Sequence, residues 1–485
     1  MRTSRDRIPR PPGIRVHVGS PEPNQTRGLT GRLYSLLPSG MRGSLDRNPE
    51  LRRVLFNINW LFAQRIFEAA LGFVVGIAVL RYLGPEQFGV LSYVGAIVGL
   101  AVPFSMLGLN NVVVRHLVTR QEATASVLGT AVALRLAATA LSMGVVVAAT
   151  AYMRRDEPTV IYFASLLAVG HVLGAPGVVG AWFRATVNAK YTVFARSGAK
   201  TTFAVAKLAM VVAGAPLLLF VVSIPAELAL ATLLLVIFYG RQGKAPLRSF
   251  SVQASEARAM LRESWPLTLS GLMTVVYLRA DQVMLGEMLG DREVGIYAAA
   301  VRFSSLLYLI PGVVTGSVFP ALVKARDRDR ALYRRRFQLL YDGLFWLSTA
   351  AAGGVTLVAP TLVFLLFGPE YGATASVVVI HVWSSVFMFV GAASQQFLLA
   401  EQLTRITLFS TVVGALINLA ANALLIPRLG VNGAAYATLA SMSVSHLLAI
   451  AVFPQSRQTL RFVVSALNPV GVVRRWRALR PSASD

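Results

Sequence analysis

The chain has no cysteine among its 485 residues. A disulfide framework, a thiolate metal site and a cysteine nucleophile are thereby excluded. Charge is scarce as well: Asp, Glu, Lys and Arg make up 14%, where soluble domains carry about 25%. Acids are the scarcer sign, 22 against 46 bases, for a net charge of +24. The five histidines, His17, His116, His171, His381 and His446, are scattered and share no metal-ligand spacing. There is no GxxxxGK[ST] phosphate loop and no HExxH pair, which removes nucleotide hydrolysis of that kind and the corresponding zinc chemistry. No long loop offers the paired carboxylates that a membrane glycosyltransferase or polymerase would want. The sequence therefore predicts no enzyme, no metal and no cofactor.

What fills the chain instead is apolar sequence, 55% hydrophobic with a mean hydropathy of +0.61. This predicts an all-α polytopic membrane protein, because within lipid a helix pairs every backbone group internally. Twelve candidate spans can be marked at roughly 57–81, 87–108, 126–152, 159–181, 196–218 and 222–240, then 264–287, 294–320, 337–361, 374–399, 404–426 and 433–453. Each is long enough for a hydrocarbon core about 30 Å thick. The Arg/Pro/Gly-rich stretch 1–53 has no apolar core near its start and reads as a disordered basic cytosolic tail rather than a secretory signal.

A repeat organises the spans. Leu83-Gly84-x4-Gly89-Val90 recurs as Leu289-Gly290-x4-Gly295-Ile296, each copy between two apolar runs. Related turns occur at Phe367-Gly368-x3-Gly372 and Leu429-Gly430-x2-Gly433. The expected organisation is two six-helix bundles, 54–240 and 264–453, related by a parallel repeat. A cytosolic linker, 241–263, joins them, and a basic amphipathic tail, 454–485, follows. An even number of spans puts both ends on one side. That side carries 35 of the 46 Lys and Arg residues, so both termini are expected in the cytoplasm and the glycine turns outside.

Ten charged residues fall inside spans: Arg65, Arg135, Lys200, Lys207, Arg279, Arg302, Glu68, Glu227, Asp281 and Asp342. An ionised group facing lipid costs about 3 kcal/mol or more, so these should face a wet interior or a partner. Lys200, Glu227 and Asp342 lie near span ends, within snorkelling reach. Arg65 and Glu68 are neighbours on one helical face; either they pair or Glu68 titrates and couples to protons. Arg196, Lys200 and Lys207 fall within about 40° of one another and form a stripe roughly 16 Å deep. Arg135 and Arg302 have no acid one turn away. Arg279 and Asp281 point to nearly opposite faces; if Asp281 meets Arg302 on the next helix, Arg279 is free for a ligand. Guanidinium groups present a planar fork of donors suited to phosphate oxygens. Such an interior suits a phosphate-bearing cargo and repels organic cations. Glu68 and Asp281 are the coupling candidates.

The segment 57–118, YLRADQVMLGEMLGDREVGIYAAAVRF at 277–303 and LGVNGAAYAT at 429–438 resemble the polysaccharide-biosynthesis transporters, or Wzx-type oligosaccharide flippases, of the multidrug/oligosaccharidyl-lipid/polysaccharide exporter superfamily. The resemblance implies two bundles around a cleft with alternating access. The implied cargo is an oligosaccharide on undecaprenyl pyrophosphate, turned from the inner to the outer leaflet of the bacterial cytoplasmic membrane. It also implies a basic lumen, for which Arg65, Arg135, Lys207, Arg279 and Arg302 are the matching positions. Implied partners are the lipid-linked oligosaccharide, membrane lipids, H+ or Na+, and other polysaccharide-assembly proteins, with no nucleic acid. The rival expectations are a cation-coupled drug exporter of the same superfamily and a non-catalytic component of a glycan-assembly complex.

Overall fold

A computed structural model describes residues 49–477, apart from 244. The tail expected over 1–53 lies outside the described residues up to 48, as does 478–485. Two units are distinguished, 1–56 and 57–485. In the first, the described residues 49–56 are helical.

The described residues are helical throughout, with no strand. The helices of the N-terminal half are α1 (Pro49–Met106), α2 (Leu109–Thr119), α3 (Thr124–Met153), α4 (Pro158–Gly174), α5 (Gly180–Ala185), α6 (Ala189–Val212) and α7 (Leu217–Gln242). Those of the C-terminal half are α8 (Ala254–Met288), α9 (Asp291–Leu307), α10 (Leu309–Arg328), α11 (Arg330–Phe367), α12 (Thr374–His381), α13 (Ser384–Ala400), α14 (Thr404–Leu429) and α15 (Val431–Val452). Two short helices close the chain, α16 (Arg457–Ala466) and α17 (Pro469–Arg477).

Among the described residues eight helical segments are long and apolar enough to cross a membrane, fewer than the twelve spans expected. The first segment, 64–119, holds two of the expected spans, because α1 reverses at Gly84. Helices α6 and α8, which carry Lys200, Lys207, Arg279 and Asp281, are not among the eight.

The glycine turns explain how the halves meet. Gly84, Gly290, Gly368 and Gly430 have φ of 70°, 101°, 93° and 59°, a region that L side chains adopt at a cost. The two LGx4G copies then pack on each other reciprocally. A Cβ on Gly89 would lie 1.7 Å from the Asp291 carbonyl oxygen, and one on Gly295 would lie 1.9 Å from the Pro85 carbonyl oxygen. Position i of each copy meets position j of the other, the signature of a two-fold relation. Because the obstruction is backbone, Gly89→Ala and Gly295→Ala should each destabilise by about 3 kcal/mol. Gly95→Ala, which faces open space, should be neutral in the same thermal-unfolding measurement in detergent.

The apolar core follows this arrangement. At the turn face one cluster runs through both halves, from Val79, Tyr93 and Phe163 to Ile296, Tyr371 and Ala434. Away from the turns the halves have separate cores. One is built around Leu109, Trp182, Phe183 and Tyr239, the other around Tyr333, Phe337, Phe397 and Phe462. The core is thus shared at one end and separate at the other.

Away from the turns one strut joins the halves. The start of α8 docks on the N-terminal half through Met260 and through ions. Buried His116 of α2 has Nδ1 3.2 Å from Glu256 and Nε2 3.0 Å from Glu263. Arg120 pairs with Glu256, and Arg115 with Glu263. Burial pushes the Glu263 carboxyl up, but hydrogen bonds from Arg115 and His116 outweigh it and hold the group below the usual carboxylate range. Its share of this docking is present at neutral pH and is lost as pH falls through that lowered value.

The C-terminal tail is fastened rather than loose. Phe462 and Val463 of α16 enter the aromatic core of the C-terminal half. Arg475 grips Asp342 with Nε and Nη2 at 2.7 and 3.0 Å. Asp342, expected to snorkel, is instead fully buried and paired in this way.

Candidate functional site

Within the N-terminal half, with Arg302 of the C-terminal half reaching into its wall, lies a cavity of about 270 Å³, below the roughly 300–1,000 Å³ of sites that enclose drug-sized ligands. It is lined by α1, α6, α7 and α9, and its polar groups are Lys200, Lys207, Glu227 and Arg302. The helices bring these together through size as well as register. Gly76 of α1 leaves room for the Arg302 guanidinium, which lies where a Cβ would be, with Nη1 1.7 Å from that position. The guanidinium carbon is 5.7 Å from the Phe88 ring centre, within the range of a cation–π contact. Gly72, one turn away, faces the Lys200 ammonium at 3.5 Å from its Cβ position.

The charges in the cavity do not cancel. Lys207 pairs with Glu227 at 2.9 Å, so the acid expected to snorkel is a cavity residue and the expected free lysine is neutralised. No carboxylate pairs with Lys200 or Arg302 among the described residues. A buried cation without a partner is costly. What remains is a pocket with two positive charges that no carboxylate compensates, one from each half.

The other expected site residues lie elsewhere. Asp281 does not meet Arg302. It is buried, accepting hydrogen bonds from the Tyr297 hydroxyl and, at 2.8 Å, from the Gln282 backbone. The Tyr297 hydroxyl is also 3.1 Å from Thr438 Oγ1 on α15. Two buried carbonyl oxygens, Gln282 Oε1 on α8 and Asn422 Oδ1 on α14, have no partner, and these helices pack together. Glu68 does not pair with Arg65. It accepts from Gln64 at 2.7 Å and from Ser197 of α6 at 3.2 Å, while Arg65 is exposed. Arg279 is exposed on α8, within electrostatic reach of Asp281 and Arg302. Arg135 lies on α3, outside the cavity lining. Among the described residues no group of three or more His, Asp or Glu is placed to hold a metal.

Sequence reading missed the residue that fastens the turn face. Arg154, counted there only as a loop charge, is buried at the junction of the halves. Its Nε and Nη1 donate to Glu287 at 2.9 Å and Glu157 at 2.7 Å, and Nη2 donates to the Gly286 carbonyl at 2.7 Å and Asp291 at 3.3 Å. The guanidinium sits 4.5 Å over the Tyr93 ring, whose hydroxyl donates to Glu287 at 2.6 Å. Burial draws the Arg154 guanidinium down, but its three carboxylate neighbours outweigh this and hold it above its ordinary value. No local pattern announces the cluster, since its members come from three separate segments.

The cavity makes a sharp prediction. Gly76→Ala should displace the Arg302 side chain, a flexible obstacle, and leave the fold intact; Gly72→Ala meets only ordinary contact. Anion binding to the purified protein should weaken about tenfold in the first and stay unchanged in the second, since a charge-assisted hydrogen bond contributes roughly 1.5–3 kcal/mol.

Residues 54–326 match the family described as polysaccharide biosynthesis protein. The chain is 34% identical over 199 residues to the probable flippase AglR of Haloferax volcanii, 40% of this chain and 41% of that protein. It thus spans about two fifths of the curated relative it matches. The fold is similar to that of an inward-facing multidrug resistance MATE family transporter of the MOP superfamily (TM-score 0.68, 16% identity, 82% of this chain and 95% of that one). It is also similar to the lipid II flippase MurJ in an inward closed conformation (TM-score 0.65, 13% identity, 87% and 93%). At such identities the likeness is one of fold. The match over more than half of the sequence places this multi-pass membrane protein in the polysaccharide biosynthesis protein family.

Proposed function

We propose that the chain is a flippase. It moves an oligosaccharide carried on undecaprenyl pyrophosphate from the inner to the outer leaflet of the bacterial cytoplasmic membrane, for cell-surface polysaccharide synthesis. In this reading two six-helix bundles, 54–240 and 264–453, rock against each other, with both termini in the cytoplasm. The observation that carries it is the cavity of the N-terminal half that Arg302 enters, where Lys200 and Arg302 stand without carboxylates. A diphosphate supplies the missing negative charge, and an organic cation would be repelled. Arg65 and Arg279, both exposed, belong to the wet path, and the small cavity suits the head group rather than the whole glycan. The archaeal origin of AglR makes the polyprenyl carrier the variable to test.

Coupling is assigned to Asp281. Its buried carboxylate lies beside the Tyr297 and Thr438 hydroxyls, and the nearby helices supply unpartnered carbonyl oxygens. Oxygen donors of this kind suit a proton or a hard cation such as Na+. Glu68, satisfied by Gln64 and Ser197, holds α1 to α6 in this reading.

The test is leaflet assignment of a fluorescent pyrophosphate-linked oligosaccharide in vesicles containing the full chain, with carriers of different polyprenols. Wild type should exchange it between leaflets and accumulate it on one side under a Na+ or H+ gradient. Asp281→Asn should still equilibrate it but lose the accumulation. Identical accumulation by that variant removes the coupling role. No exchange of the glycan, together with brisk flux of organic cations, replaces the flippase with the exporter.

A further inference from the structure

Three arginines of the N-terminal half remain unused. Arg135 lies on the inward stripe of α3, one helical step from buried Ala131 and Thr139, yet its Nε is buried without a hydrogen-bond partner. The charges acting most strongly on it are Arg196 of α6 and Arg184 of α5, both positive. Arg184 in turn faces Arg196 and donates to the Asn110 carbonyl at 3.2 Å. No carboxylate is paired with any of the three among the described residues. Arg184 and Arg196 are exposed, so the cluster is open on one side and buried on the other. Like charges held beside a buried guanidinium repel one another, and an anion among them removes that cost. The cluster is set apart from the cavity, whose lining includes none of its members. Lys200, one turn along from Arg196 on α6, connects the two.

We propose that Arg135, Arg184 and Arg196 form a second anion site, which takes the phosphate of a lipid head group before or beside the cavity that Arg302 enters. The unpartnered Nε of Arg135 and the exposed guanidinium forks of Arg184 and Arg196 are donors of the kind that suit phosphate oxygens. The proposal rests on the flippase reading only for which lipid brings the phosphate: the diphosphate of the glycan carrier, or an anionic phospholipid of the bulk membrane.

The experiment is calorimetric titration of inorganic pyrophosphate into the full chain in neutral detergent. Arg135→Gln should weaken one binding step at least tenfold, Arg135→Lys should retain part of it, and Arg302→Gln should leave that step in place. Arg135→Gln should melt no lower than wild type, because it loses an unpaired charge and no partner. Wild-type pyrophosphate affinity in both Arg135→Gln and Arg184→Gln overturns the proposal, as does loss of every binding step in Arg302→Gln. In nanodiscs, competition by phosphatidylglycerol over phosphatidylcholine identifies the bulk lipid; competition only by the glycan carrier identifies the cargo. Pyrophosphate binding at these arginines without glycan transfer by wild type keeps the site and removes the flippase. Transfer by wild type with undiminished binding in the variants does the reverse.

Discussion

Arg302→Gln should reduce leaflet exchange of the lipid-linked glycan by about a hundredfold, while the purified protein melts no lower than wild type. The two signs have one cause. The guanidinium is held against Gly76 and Phe88 with no carboxylate opposite, so in the empty protein it is a desolvated charge whose removal relieves roughly 1 kcal/mol or more. With a diphosphate in the cavity the same group makes charge-assisted hydrogen bonds of roughly 1.5–3 kcal/mol each, and two of these at the lower end amount to about a hundredfold. Arg302→Lys keeps the charge and loses the fork, so its exchange rate should fall between the two. Leaflet assay and thermal melt on the same preparation are the check. A variant that loses stability and activity together would mark Arg302 as a structural residue instead.

Arg154→Ala should loosen the turn face. The side chain satisfies Glu157, Glu287, Asp291 and the Gly286 carbonyl together. Fully buried pairs cost about 3–5 kcal/mol to break. Glu157 and Glu287 keep some water, at 43% and 26% exposure, so roughly 2 kcal/mol is expected here, a shift of about thirtyfold between closed and open turn faces. The absence of cysteine makes the measurement direct. Spin labels on cysteines at Glu86 and Arg292, exposed positions in the two repeated turns, should give one short distance in wild type. In Arg154→Ala a second, longer population should appear. An unchanged distribution would mean that the reciprocal packing of Gly89 and Gly295 closes this face without the ions.

The family, the all-helical membrane architecture and the repeat were legible in the sequence, because each rests on a local signal. Apolar runs of spanning length force helices, and LGx4G needs only the positive φ of Gly84 and Gly290 to be recognisable twice. The charged residues were legible as a set, since lipid makes any of them conspicuous. Their partners were not. Lys207 finds Glu227, Glu68 finds Ser197 and Asp281 finds Tyr297, each across a helix interface or a turn whose register no spacing encodes. Arg154 and Arg184 looked like loop charges until folding carried them to the junction of the halves and beside Arg135. Sequence alone determined which positive charges fall within apolar spans of this protein. Tertiary structure decided which of those charges are cancelled and which are left for a ligand, because pairing depends on distances between helices, and those are fixed only when the helices pack.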